Sequence, residues 1–208
     1  MFSWLQGSRG KIVALVVAAV ACMLVGYAAG WLTPRLTDPS EHSADAGFAR
    51  DMSSHHAQAV EMGMIAYRQA SDPGIRTLGG DVALTQQAQI GMMSAWLDDW
   101  GVSRNSDDPP MSWIPNGTEM MNGNLMPGMA TREEIKNLQE AQGEDFDILF
   151  LQYMLRHHLG GIHMARAVLD TDPEPEVSSL AETMIKNQSG EVDVLRSMLA
   201  ELGAAPLN

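Results

Sequence analysis

Two histidine doublets, His55-His56 and His157-His158, hold four of the six histidines in this 208-residue chain. Methionines at helical spacing frame each doublet: Met52 and Met62 around the first, Met154 and Met164 around the second. Imidazole nitrogen and thioether sulfur are both transition-metal ligands, and thioether selects copper, above all Cu(I). Successive helical residues lie about 100° apart. His55 and His56 therefore straddle the centre of an apolar stripe formed by Phe48, Met52, Ala59 and Gly63. His55 shares a flank with Met62 and follows Asp51 by four residues, while His56 follows Met52 by four. The same relations link His157 to Met164 and His158 to Met154; His163 falls on the opposite face.

Counted outward from the turns, Gln86 stands opposite His56 and Gln188 opposite His158. A buried polar group is costly unless hydrogen-bonded, so these glutamines, with Asp51, are expected behind the imidazoles, where they would fix the tautomers. The competing reading makes each His–Gln pair a satisfied polar contact in an ordinary core. Two doublets in one fold, each with helical methionines, favour a metal.

Other chemistries fit poorly. A di-iron bundle uses Glu-x-x-His motifs, and the chain has none. A tetrahedral zinc site would need His and carboxylate ligands, because Cys22 is the only cysteine and lies in the N-terminal apolar segment. No serine elbow or phosphate-cradling glycine loop is present, so no catalytic constellation emerges and the chain reads as a non-enzyme.

The doublets mark a duplication. Residues 48–101 and 150–203 align without a gap at an offset of 102, pairing Phe48 with Phe150, Pro73 with Pro175, Gln86 with Gln188, Leu97 with Leu199 and Gly101 with Gly203. Each copy reads as two helices joined by a tight turn, with Asp72-Pro73 as capping carboxylate and first helical residue and Gly101 as a left-handed cap. Two hairpins that each leave an apolar face open should close as an all-α four-helix bundle. The expected organisation is a tail at 1–11, an anchor at 12–33, a linker at 34–46 and a domain at 47–204. Within the domain, hairpins at 47–101 and 145–203 flank a methionine-rich connection at 102–144. That connection carries Met111, Met120, Met121, Met126 and Met129, and Thr131 to Glu134 reads as a capping box. Met120, Met121, Met126 and Met129 fit either an auxiliary thioether cluster or a hydrophobic plug on the bundle end.

Ile12 to Leu32 is uncharged and long enough to cross a bilayer as a helix. Arg9 and Lys11 precede it, which puts the N-terminus in the cytoplasm and the rest outside as a single-pass cell-membrane protein. A cleaved signal peptide and lipidation at Cys22 are the alternatives to an uncleaved anchor. The net charge is −13; without Arg9 and Lys11, 11 basic residues face 26 acidic ones, a balance of −15. Such a charge disfavours nucleic acid and mildly concentrates cations. Fourteen of the 16 methionines lie beyond the anchor, and thioethers remain available as ligands in an oxidising compartment.

Phe150-x-x-x-Met-x-x-His-His-x-x-Gly-x-x-Met-Ala165, the parallel segment ending at Met62, and Met126-Pro-Gly-Met129 before Glu144-Asp-Phe-Asp-Ile-Leu-Phe150 resemble the family called domain of unknown function 305. The resemblance spans roughly residues 45–204. It implies a ferritin-like four-helix architecture. Studied members include CopM-type periplasmic proteins that bind copper and assist copper resistance, so it also implies copper, as Cu(I) or Cu(II), at Met52, His55, His56, Met62, Met154, His157, His158 and Met164. Glu61 stands where the second copy has His163, so the ligand set need not be symmetric. The leading expectation is an anchored, extracytoplasmic protein that binds and buffers copper, its protein partner unknown. A helical interaction module with structural histidines, and a metal-dependent redox enzyme, are the alternatives.

Overall fold

The computed structural model describes residues 7–207, with backbone alone for residue 8 and residues 32–37. The first six residues of the expected cytoplasmic tail lie outside the described residues. The chain divides into two compact units, Met1–Asp38 and Pro39–Asn208.

The first unit is helix α1 (Ser8–Thr37). Its span Arg9–Trp31 is long and apolar enough to cross a membrane, as a signal sequence would also be. Ile12, Leu15, Val16 and Val17 are all exposed, as is Cys22.

The second unit is helical, with no strand among the described residues and a single isolated bridge between Asn122 and Leu125. Its helices are α2 (Ala44–Gln69), α3 (Pro73–Asp99), α4 (Arg132–Glu140), α5 (Gly143–Leu169) and α6 (Pro175–Glu201). The expected caps are present. Asp72 accepts the amides of Gly74 and Ile75 with Pro73 in the first turn, and Thr131 with Glu134 forms the capping box. Gly101 and Gly203 take φ of 69° and 66° to end α3 and α6. Helix α2 starts three residues before the expected hairpin boundary, because Ser43 caps it by accepting the Ala46 amide.

Within each hairpin the two helices pack closely, α2 with α3 and α5 with α6, and α2 meets α5 between the hairpins. Helices α2 and α5 run antiparallel, which divides the core in two. One cluster joins Ala66 and Met62 of α2 to Phe146, Phe150 and Met154 of α5. The other joins Phe48 and Met52 of α2 to Met164 and Val168 of α5. Phe48, Phe146 and Phe150 are fully buried, each contributing on the order of 2–3 kcal/mol by removal from water.

The hairpins are cross-tied at their ends. Asp147, near the start of α5, accepts the amides of Ser71 at 2.9 Å and Asp72 at 3.0 Å, and the Ser71 hydroxyl. Asp45, near the start of α2, accepts the amide of Glu174 at 2.8 Å. Asp45 and Asp147 are 102 apart, as are Asp72 and Glu174, so each hairpin clamps the other's turn through the same repeat position. Helix α6 has no side-chain cap of its own; the carboxylate from the other hairpin serves that amide.

Candidate metal centre

The four histidines meet where α2 crosses α5, between the two apolar clusters. All are buried, at 0–1 % exposure. Their positions follow from the helical stripe: His55 of α2 and His157 of α5 face each other across the hairpins, while His56 and His158 turn to α3 and α6 of their own hairpins. The His55 and His157 rings lie 3.8 Å apart between centroids, tilted by 33°, and His55 lies 6.4 Å from His56.

Each Nε2 is committed to an oxygen. His55 Nε2 donates to the Pro127 carbonyl at 2.9 Å and His157 Nε2 to the His55 carbonyl at 3.1 Å. His56 Nε2 donates to Gln89 Oε1 at 2.7 Å, and His158 Nε2 bonds Glu191 Oε2. Carbonyl oxygens can only accept, so these contacts select the Nε2–H tautomer. In a neutral ring the Nδ1 lone pair is then free. The Nδ1 atoms of His55, His56 and His158 are buried and have no hydrogen-bond partner among the described residues. Burial pushes His55 down to about 4, against the Pro127 hydrogen bond, and His56 down to about 3, assisted by neighbouring His55. His157 also falls well below the ordinary histidine range through burial and the adjacent histidines.

The tautomer-fixing partners sit one helical turn beyond those expected. Gln89 and Glu191 hold the rings, not Gln86 and Gln188. Helical side chains lean toward their own N-terminus. On antiparallel helices, His56 leans away from the turn while α3 side chains lean toward it, so the residue that reaches His56 starts three positions farther from the turn. Gln86 and Gln188 are buried, and their Oε1 atoms have no partner. Gln188 lies against Gly161, where a Cβ would come within 2.6 Å of its Oε1. Asp51 does not support His55. Its Oδ2 accepts the Met111 amide at 2.6 Å and the Trp113 indole at 2.8 Å, fastening the connecting loop to α2. Desolvation raises the Asp51 pKa against those two donors and Arg50.

The methionines flank the histidines in two pairs. Met52 and Met164 belong to one apolar cluster, Met62 and Met154 to the other, and all four are fully buried. Met126 is buried beside Met52 and Met164, and Met120, Met121 and Met129 pack at the edge of that cluster. Among the described residues, no group of three or more His, Cys, Asp and Glu side chains is arranged to hold a metal ion. The donor set itself fits one: three buried imidazole lone pairs without a donor, bordered by thioethers.

A strap from the connecting loop closes over the histidines. Sequence reasoning missed its seat. Gly160 lies under it so tightly that a Cβ would stand 1.9 Å from the Pro127 carbonyl oxygen, and one on Gly128 (φ 76°) would stand 2.3 Å from that of Arg156. On the other helix, the Gln58 amide pairs with both backbone groups of Ala130, at 2.9 and 2.7 Å. Arg156 holds Glu134 through two contacts of 2.8 Å. The Met-Pro-Gly-Met motif was the available signal, since proline and glycine together mark a shaped backbone segment.

The family model for the domain of unknown function DUF305 matches residues 45–199. The chain belongs to this family. Its fold is similar to that of a DUF305 protein from Streptomyces coelicolor, described as a candidate secreted protein, with 42% identity, TM-score 0.75, and coverage of 81% of this chain and 99% of that one. A DUF305 fragment from Deinococcus radiodurans is 30% identical, with TM-score 0.63 and coverage of 79% and 99%. CopM in its Cu(II)-bound form is 25% identical, with TM-score 0.60 and coverage of 76% and 96%, and CopM has also been crystallised in a Cu(I)-bound form. No functionally curated protein matches the chain.

Proposed function

We propose that this DUF305 protein binds and buffers copper, without turnover, in a ferritin-like helical domain held outside the cytoplasm by α1. The observation that carries this reading is the buried set of unpartnered Nδ1 atoms on His55, His56 and His158. Metal-bound histidines commonly donate their other ring N–H to a carbonyl or carboxylate, and each of these four rings has such an acceptor. A buried lone pair without a donor is unfavourable in the metal-free protein, and a cation relieves it. The neighbouring methionines supply soft sulfur, which favours copper over zinc. The copper-bound forms of CopM agree with this reading.

Copper titration of the detergent-solubilised full chain tests it, against a variant with His55, His56, His157 and His158 all changed to Ala. Loss of the tight site is expected in the variant. Unchanged stoichiometry and affinity would sink the proposal. A purely structural role for the histidines is favoured by the occupied Nε2 atoms and by the lack, among the described residues, of a preformed group of three His, Cys, Asp or Glu ligands. That role predicts no transition metal in elemental analysis of the purified native protein.

A further inference from the structure

Gln89 and Glu191 are the same position of the repeat, 102 residues apart, and perform the same task. Each accepts the Nε2–H of a buried histidine on the facing helix of its own hairpin. They differ in charge. Gln89 is a neutral amide at 7 % exposure, and Glu191 carries a carboxylate at 26 % side-chain exposure. Among the described residues, Glu191 is the one acid hydrogen-bonded to a buried histidine. Among those residues the single buried acid, Asp147, is committed to Ser71 and Asp72 at the bundle end. Asp51 is committed to the loop, and Glu134 to Arg156.

The charge of a bound ion must be compensated where water is excluded. Imidazole and thioether are neutral ligands and leave the ion's full charge in place. Behind His56 stands the neutral amide of Gln89, which does not offset it. Behind His158, one hydrogen bond from the ring, stands a full negative charge, which also makes the imidazole a stronger donor. Resting on the copper reading above, we infer that Glu191 sets the charge of the ion the centre accepts. With Glu191 the centre accommodates a divalent first-row ion; the Gln89 side, lacking a carboxylate, matches a monovalent soft ion. Glu191 is thus a selectivity residue acting through His158, and Gln89 is its neutral counterpart.

The test compares Cu(II) with Ag(I), a monovalent soft ion that does not change oxidation state under the assay. Competition titrations are run on the full chain in detergent for wild type, Glu191→Gln and Gln89→Glu. Glu191→Gln is expected to weaken Cu(II) binding on the order of 10–100-fold, as loss of a charged partner behind a ligand does, while Ag(I) binding changes less than about threefold. Gln89→Glu is expected to shift the Cu(II)-to-Ag(I) preference the opposite way, which keeps the test open if Glu191→Gln fails to fold. Equal losses for both ions would mean that Glu191 merely holds His158 in place, and would overturn the inference. So would no change for either ion. If wild type binds neither ion, the copper reading falls, and the inference with it. If wild type binds both but the variants do not discriminate, only the inference falls.

Discussion

The two hairpins carry the same parts and load them differently. Asp147 takes three hydrogen bonds from the turn of the first hairpin, whereas Asp45 takes one from the turn of the second. Position 58 of the first copy is a glutamine that grips the strap at Ala130, and its equivalent, Gly160, is bare so that Pro127 can lie on the helix. His55 reaches the strap carbonyl, while His157 reaches the backbone of His55. Duplication therefore preserved the ties that close the bundle and released the positions around the histidines to diverge. A single chain segment can cover a twofold centre only once, and it breaks the symmetry where it lands.

The largest expected effect tests what the halves share, the burial of neutral imidazoles. His55, His56 and His157 have depressed values in the folded state, so the unfolded chain binds more protons and stability is lost as the solution is acidified. The loss begins below the unfolded value near 6.5 and deepens until pH reaches the folded values, about 4 for His55 and about 3 for His56. His55 alone accounts for about 3 kcal/mol across that window. Urea denaturation of the metal-free protein at pH 7, 5.5 and 4.5 should show the decline, and His55→Gln should make it shallower, with His56 and His157 accounting for the remainder. A level profile would show that the rings are not held neutral by burial.

A smaller effect separates the cross-ties. Asp147→Ala should cost about 3 kcal/mol and Asp45→Ala about 1 kcal/mol, in proportion to the hydrogen bonds each leaves unmade. Equal losses in chemical denaturation would erase the asymmetry between the clamps. The smallest is local: Gln58→Ala should cost about 1 kcal/mol and speed proteolysis within residues 102–131 with little change in the melting of the helices. Unaltered cleavage would mean that Gly160 and Pro127 alone hold the strap.

Most of the fold was legible because its signals are local or periodic. The repeat, the Asp72-Pro73 turn, the Thr131 capping box and the glycine caps are written in types that have few alternatives in a helical chain. The burial of the histidines followed from the apolar stripe. Their partners did not, because equal counting from a turn ignores the direction in which side chains lean, and Gln89 and Glu191 lie one turn beyond the counted positions. Asp147 follows the first-turn acids Glu144 and Asp145 of α5 and reads locally as one more solvated carboxylate; only tertiary packing shows that it is buried and serves another hairpin. The seat of Pro127 on Gly160 depends on two backbones touching, for which a sequence pattern has no periodicity to offer.

The reciprocal clamps carry a consequence for origin and assembly. A hairpin that contains both an acid at its first helix and a turn awaiting such an acid is complementary to itself. Two identical copies of it would satisfy each other about a twofold axis, as the subunits of an isologous homodimer do. In that description the segment between the hairpins is a tether joining two former subunits. It makes their meeting a unimolecular event, and it lets the two copies carry different residues behind their histidines.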